Sequence, residues 1–570
     1  MKYLKILYVV VIVSLLSCNT TKKTDGVIIT ELADTFYDRY LETYPEVAYF
    51  ADIPIEDHSG ITSNNLKDIK NWESFEDSLY EELIKVDEKS IAEKSDKITY
   101  WILKETLETD IEMKVCKRHL WDVTHRYGWY IILTYIAEFQ PIGTKELREQ
   151  AFTRWNQYPR FVETEIENLK HGIAEGYTMP KEIVRLVIEQ IQVLMDYKIE
   201  NSPFMSPAKR DGDKDFYSRW ELLITDTFIP ALAKYQNFLK DEYIDKARDD
   251  ISILALPNGS KCYEAYIRYY TTTNKTGKEV FELGQNITIT NEEKVIEIGK
   301  ELYGSNDFKD IIALISEDSS NYFQTSNEIL DYCNQLLSNA KEECNNWFAL
   351  LPSSDVTIKP YEPHESGVGA YERAVGEKPP YFRINLNNTN QKKGEIEKLT
   401  YHETYPGHHL QIGIEKDIKG IHPISKLVGF TSYSEGWARY AEQLAEEMGL
   451  YRNQSAVIER RAWPARGMVV DAGIHMYGWT KTQAIDYMLE SGINESEATS
   501  LYYRSIVAPA QLTSYDTGGE VFKELRKLAE ERLGDDFNIK EFHAKILENG
   551  SIPLIPIQNI IENWINSKTD

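Results

Sequence analysis

The chain has 570 residues, 42% of them hydrophobic and 27% charged, which excludes a disordered polypeptide and leaves room for a large buried core. Its 64 basic and 91 acidic residues give a net charge of −27. That balance argues against a nucleic-acid partner and against docking on anionic lipid through a basic patch.

The first residues, MKYLKILYVVVIVSLLSCNTTKKTDG, begin with Lys2 and Lys5 and run into an apolar stretch from Ile6 to Leu16. That stretch is too short to span a bilayer and reads as the core of a signal peptide. Leu15-Leu16-Ser17-Cys18 resembles a bacterial lipobox, so residues 1–17 are expected to be a lipoprotein signal peptide. Residues 18–26 then form a tether carrying a lipid anchor on Cys18. The plain alternative is a signal peptide with a chance cysteine. The expected location is the bacterial cell envelope, on a membrane face that the sequence leaves open. Four further cysteines, Cys116, Cys262, Cys333 and Cys344, match no metal-binding spacing and are expected to be structural, with their pairing undetermined.

Residues 27–350 are dominated by helical periodicity. In KEIVRLVIEQIQVLMDYKI, Ile183, Val187, Ile191 and Leu194 recur at helical spacing, the mark of one buried stripe. Residues 352–390 differ, being rich in Gly and Pro, with strand-like pieces VTIKPY and YFRINL. A small β-hairpin or sheet edge is expected near residues 355–388, placed where its edge could flank a substrate cleft. Helix returns at GEIEKLTYHE and persists, with breaks, to the end. No fixed-period repeat is present, and residues 27–567 read as one mainly α unit, with a helical first half (27–350) and a second half (351–567) that bears the candidate metal site.

That site begins at LTYHETYPGHH. His402-Glu403 opens like the zinc-peptidase pattern H-E-x-x-H, but position 406 is Pro and the next histidines are His408 and His409. In a straight helix, residue six turns about 120° away from the first and residue seven rises about 10.5 Å, so neither could share an ion with His402. Pro406 removes an amide donor, Tyr405 before it is steered from helical angles, and Gly407 is permissive. If two residues loop out, His408 takes the place of the second ligand; His409 would need three. The bland alternative is that Pro-Gly ends a helix and leaves the histidines in a loop.

Downstream, GFTSYSEGWARYAEQLAEEMG reads as a second amphipathic helix with Glu435 near its start. Glu435 is either the third ligand, with a position left for water, or the partner of Ser432 in a capping box. Glu442, one heptad on, is the back-up ligand or a solvated charge.

These segments together resemble a bacterial family known as domain of unknown function 885, grouped with zincin-like metallopeptidases of the thermolysin superfamily. YPEVAYFADI, LPNGSKCYEAYIRYYT, DAGIHMYGWTKTQAIDYM and YYRSIVAPAQLTSY extend the likeness over about residues 28–565. The resemblance implies a multi-helix zincin-like fold with a deep cleft, one Zn²⁺ and hydrolysis of peptides, of oligopeptidase or carboxypeptidase type. Carried over by position, His402, His408 and Glu435 are the metal ligands and Glu403 the catalytic glutamate. The chain departs from the family pattern at Pro509-Ala510-Gln511, where relatives usually have Pro-Gly-Gln. Tyr515, His475 and Arg504 are candidates for stabilising an oxyanion, and Asp471 and His409 for orienting other groups. Two rivals remain: an inactive relative, and a helical surface lipoprotein that binds glycans or peptides with some of its 37 Tyr and 11 Trp. The oligomeric state is not legible.

Overall fold

The computed structural model describes residues 24–361, 367–376 and 378–569, so the signal-peptide and Cys18 expectations lie outside the described residues. The architecture is mainly helical, as expected, with one small sheet. The stripe Ile183, Val187, Ile191 and Leu194 is buried on one face of a helix, Lys181–Asp196. No described helix is long and apolar enough to cross a membrane.

The sheet has three strands, β1 (Thr357–Pro360), β2 (Gly369–Glu372) and β3 (Tyr381–Ile384), in the order β1-β3-β2. The two pieces legible in sequence, β1 and β3, run parallel and therefore form no hairpin. The antiparallel partner of β3 is β2, inside SGVGAYE, where glycines mask the strand signal. Because β2 pairs only with β3 among the described residues, it is an edge strand.

Two large apolar clusters carry the fold. One combines side chains of residues 116–287 with residues 465–510; the other combines residues 29–107 with residues 323–565. Each cluster draws on both ends of the chain, so the first and second halves are not separate domains. The helices that matter for the site are α1 (Lys393–Glu403), α2 (His408–Asp417), α3 (Thr431–Glu447), α4 (Arg466–Tyr477), α5 (Glu495–Val507) and α6 (Thr513–Leu533). α3 and α6 approach closely because Gly436 faces Gly518: a Cβ on Gly436 would lie 2.5 Å from the Gly518 backbone. The first cluster contains Tyr502 and Ile506 of α5, and the second contains Tyr401 of α1, Trp437 of α3 and Phe522 of α6.

Cys116 and Cys262 form a disulfide across 146 residues of chain, while Cys333 and Cys344 are free thiols, both fully buried. Burial pushes the Cys333 thiol up to about 12, which keeps it unreactive. Replacing Cys116 and Cys262 together by serine is expected to lower the unfolding free energy by about 2–5 kcal/mol, because so long a loop is released in the unfolded chain. Urea titration measures this, and an unchanged midpoint would contradict a structural role.

Candidate metal centre

α1 ends at Glu403, and α2 starts afresh at His408. The segment is thus a helix break and restart, not a bulge inside one helix. Pro-Gly does end a helix, but the histidines open the next one and do not lie in a loop. Thr404 and Gly407 leave helical angles, with ψ of −113° and −131°. Trp437 on α3 pins the turn by donating its Nε1–H to the Pro406 carbonyl at 2.9 Å. The Leu410 N–H reaches back to the Thr404 carbonyl at 3.3 Å. A Cβ on Gly407 would lie 2.0 Å from the His402 carbonyl oxygen and 2.4 Å from that of Tyr401, so only glycine fits.

The turn sets the ring of His408 against that of His402, with centroids 4.8 Å apart and planes at 89°. Glu435, from the second turn of α3, completes the group: its Oε2 lies 3.4 Å from the Nε2 of His402 and 3.4 Å from the Nε2 of His408. The three ligand atoms all lie within 4.8 Å of one another. Glu435 makes no capping box, since the cap residue of α3 is Phe430 and Ser432 bonds Thr272 at 3.0 Å. His409 points elsewhere, its Nδ1 and Nε2 each 3.2 Å from the hydroxyls of Tyr371 and Tyr405. Burial pulls His409 down to about 4, so it is neutral.

The donor set fits a zinc ion. Ligands about 2.0–2.1 Å from a tetrahedral ion stand about 3.3–3.4 Å apart. The Glu435 Oε2 is buried and makes no well-formed hydrogen bond among the described residues, its two imidazole neighbours standing 3.4 Å away. The Nδ1 of His402 donates to Glu442 Oε1 at 2.8 Å; a carboxylate only accepts, so Nδ1 carries a proton and Nε2 is the nitrogen left facing Glu435 and His408. Glu442 is thus neither a ligand nor a solvated charge. It is buried and held by Arg439 at 2.8 Å, and although burial opposes its charge, Arg439 and His402 keep its carboxyl well below the usual range. Burial likewise opposes charge on His402, but Glu435 and Glu442 outweigh it and push His402 up to about 10. The side chains of His402, His408 and Glu435 are mostly buried, keeping 13%, 11% and 22% of their surface exposed.

Glu403, next to His402, accepts the Tyr371 N–H of β2 at 2.8 Å. The sheet therefore lies against the histidine helix through β2, the strand that the sequence did not show. Tyr515 on α6 accepts a hydrogen bond from Arg504 Nη2 at 2.9 Å, and Gln511 contacts the same hydroxyl. Burial first, then the Glu435 charge, raises the Tyr515 pKa. His475 is a different case. Its Nε2 donates to the Ser505 carbonyl at 2.9 Å and its Nδ1 accepts the Ile253 N–H at 3.2 Å, so no nitrogen is left for an oxyanion. Asp471 orients neither His475 nor a ligand: it accepts from Tyr263 at 2.9 Å and from the Ala510 N–H at 2.8 Å. Ala510 sits at φ +65°, the left-handed region that favours glycine, and Asp471 braces it there. Sequence reasoning missed Glu442 as the orienter of His402, although its heptad spacing from Glu435, with Arg439 between, carried the signal.

Gly407→Ala is expected to destabilise the protein by about 2–4 kcal/mol through overpacking. Denaturant unfolding measures this, and wild-type stability would contradict the tight turn.

Comparison with solved structures gives two full-length likenesses. A candidate lipoprotein from Colwellia psychrerythraea is 21% identical, with a TM-score of 0.86, covering 96% of this chain and 100% of its own. A candidate lipoprotein of unknown function from Shewanella oneidensis is 18% identical, with a TM-score of 0.78, covering 94% of this chain and 99% of its own. At such identities the likeness shows a shared fold. No curated protein matches the chain. The model of the family described as bacterial protein of unknown function (DUF885) matches residues 45–561, and the chain belongs to that family.

Proposed function

We propose that the protein is a zinc-dependent hydrolase of peptides, a member of the zincin-like class, with His402, His408 and Glu435 holding the ion. The observation that carries this reading is the buried Glu435 Oε2, without a well-formed hydrogen bond among the described residues and 3.4 Å from two imidazole nitrogens, the spacing of a tetrahedral zinc edge. When bound, zinc supplies Lewis acidity, which makes water nucleophilic near neutral pH and polarises a carbonyl.

The chain's own residues supply the rest. Glu403 is positioned by the Tyr371 N–H through one oxygen, and the other makes no hydrogen bond among the described residues. That oxygen takes the proton of the attacking water and passes it to the leaving amine. Tyr515 accepts from Arg504, and its raised pKa keeps its own proton at neutral pH, ready for the oxygen that gains charge. The open edge of β2 beside Glu403 offers main chain to an extended peptide. Attachment to the cell envelope through Cys18 belongs to the same proposal. It is supported by the lipobox-like sequence and by the lipoprotein designation of the two similar structures. Intact-mass analysis of the mature protein tests it: a diacylglyceryl group on a new N-terminal Cys18 is expected, and an unmodified thiol there would refute it.

Glu403→Gln is expected to abolish cleavage of a peptide library while leaving zinc content at wild-type level; full activity in that variant would sink the mechanism. Tyr515→Phe should lower kcat by about 10²–10³ with a smaller change in KM. Glu442→Gln should weaken zinc binding by about 10–100-fold in chelator competition, and an unchanged affinity would show that His402 does not depend on its carboxylate partner.

A further inference from the structure

Many arginines in the second half of the chain meet carboxylates, though Arg373, Arg452 and Arg532 bond neutral oxygens. Arg439, Arg460, Arg461, Arg466 and Arg526 all have acidic partners. In a chain with 91 acidic and 64 basic residues, that is the expected state of a guanidinium. Arg504 is an exception beside the candidate metal centre. The only hydrogen bond of its side chain among the described residues is to the Tyr515 hydroxyl, at 2.9 Å, and it lies 5.6 Å from the centroid of that ring. Its Nε is buried without a partner, and no carboxylate pairs with it among the described residues.

Burial works against the Arg504 charge; Tyr515, Tyr127 and Glu435 restore it, and Asp471, held by Tyr263 and the Ala510 N–H, also feels it. Two of these are phenols, and Glu435 is committed to the histidines. Arg504, bonded to the proposed oxyanion donor, therefore sets positive charge next to a carboxylate-rich centre.

We propose that Arg504 receives a carboxylate of the substrate. This rests on the peptidase reading above. A guanidinium fork matches a carboxylate in geometry as well as charge, and a partly buried one gains most from such a partner. The carboxylate has two possible sources, the free C-terminus of a peptide or an acidic side chain close to the scissile bond. The first makes the enzyme a trimmer of C-terminal ends.

The test uses the zinc-loaded protein and three matched N-acylated peptides: a neutral peptide with a free C-terminus, its C-terminal amide, and that amide bearing one Glu. For a terminal anchor, the acid is expected to be cleaved with kcat/KM about 10–100-fold above the amide. Arg504→Gln should bring that ratio close to one, mainly through KM, and Arg504→Lys should restore part of it, with zinc content unchanged in both. If the Glu-bearing amide instead matches the acid, the anchored group is a side chain. Equal cleavage of all three by the wild type overturns the carboxylate anchor and leaves the peptidase reading standing. If none is cleaved, the peptidase reading fails and calorimetric binding of the same peptides decides. Tighter binding of the acid or the Glu-bearing amide that Arg504→Gln abolishes supports the anchor, and equal binding of all three overturns it.

Discussion

The carbonyl oxygens of Tyr401 and His402 close over the Cα of Gly407 with no room for a side chain. Because that residue is glycine, α1 can stop, turn within four residues and restart as α2 with His408 facing His402. The turn is held from outside as well, by the Trp437 indole on the Pro406 carbonyl. Trp437 belongs to α3, the helix that also carries Glu435, Arg439 and Glu442. One helix therefore fixes the turn, supplies the third donor and orients the first histidine. Any shift of α3 would disturb all three at once, and its backbone is locked against α6 by the contact of Gly436 with Gly518.

Charge is arranged in layers around the histidines. Glu442 and Arg439 lie behind His402, and Arg439 also faces Asp516, which leaves an interior network that is nearly balanced. In front, Glu403 and Glu435 concentrate negative charge where a cation would sit. Beyond them, Tyr515 and Arg504 bring a phenol and a guanidinium that has no carboxylate salt bridge among the described residues. Cation, polarised carbonyl and substrate anion would each meet a complementary neighbour in that sequence, which is the order a hydrolytic site needs.

Much of this was legible from residue types and spacing. His402, Glu403, His408 and Glu435 stand out because helix geometry makes H-E-x₄-H unusable without a break, and Tyr405-Pro406-Gly407 supplies one. The form of the break was not legible, since a bulge and a restart place His408 alike. The role of His475 was misjudged because sequence does not reveal that Ser505 and Ile253 occupy both its nitrogens. Strand β2 was hidden by its glycines, and the pairing of β1 with β3 is a long-range matter of register. The interleaving of the two cores was equally invisible, because local periodicity says which face is buried but not against what.

Anomalous diffraction at the zinc edge, from crystals grown without chelator, tests the central claim most directly. A single strong peak is expected within about 2.0–2.2 Å of the Nε2 atoms of His402 and His408 and of a Glu435 oxygen. Crystals supplied with zinc that show no peak there, with the three side chains ordered, would contradict it.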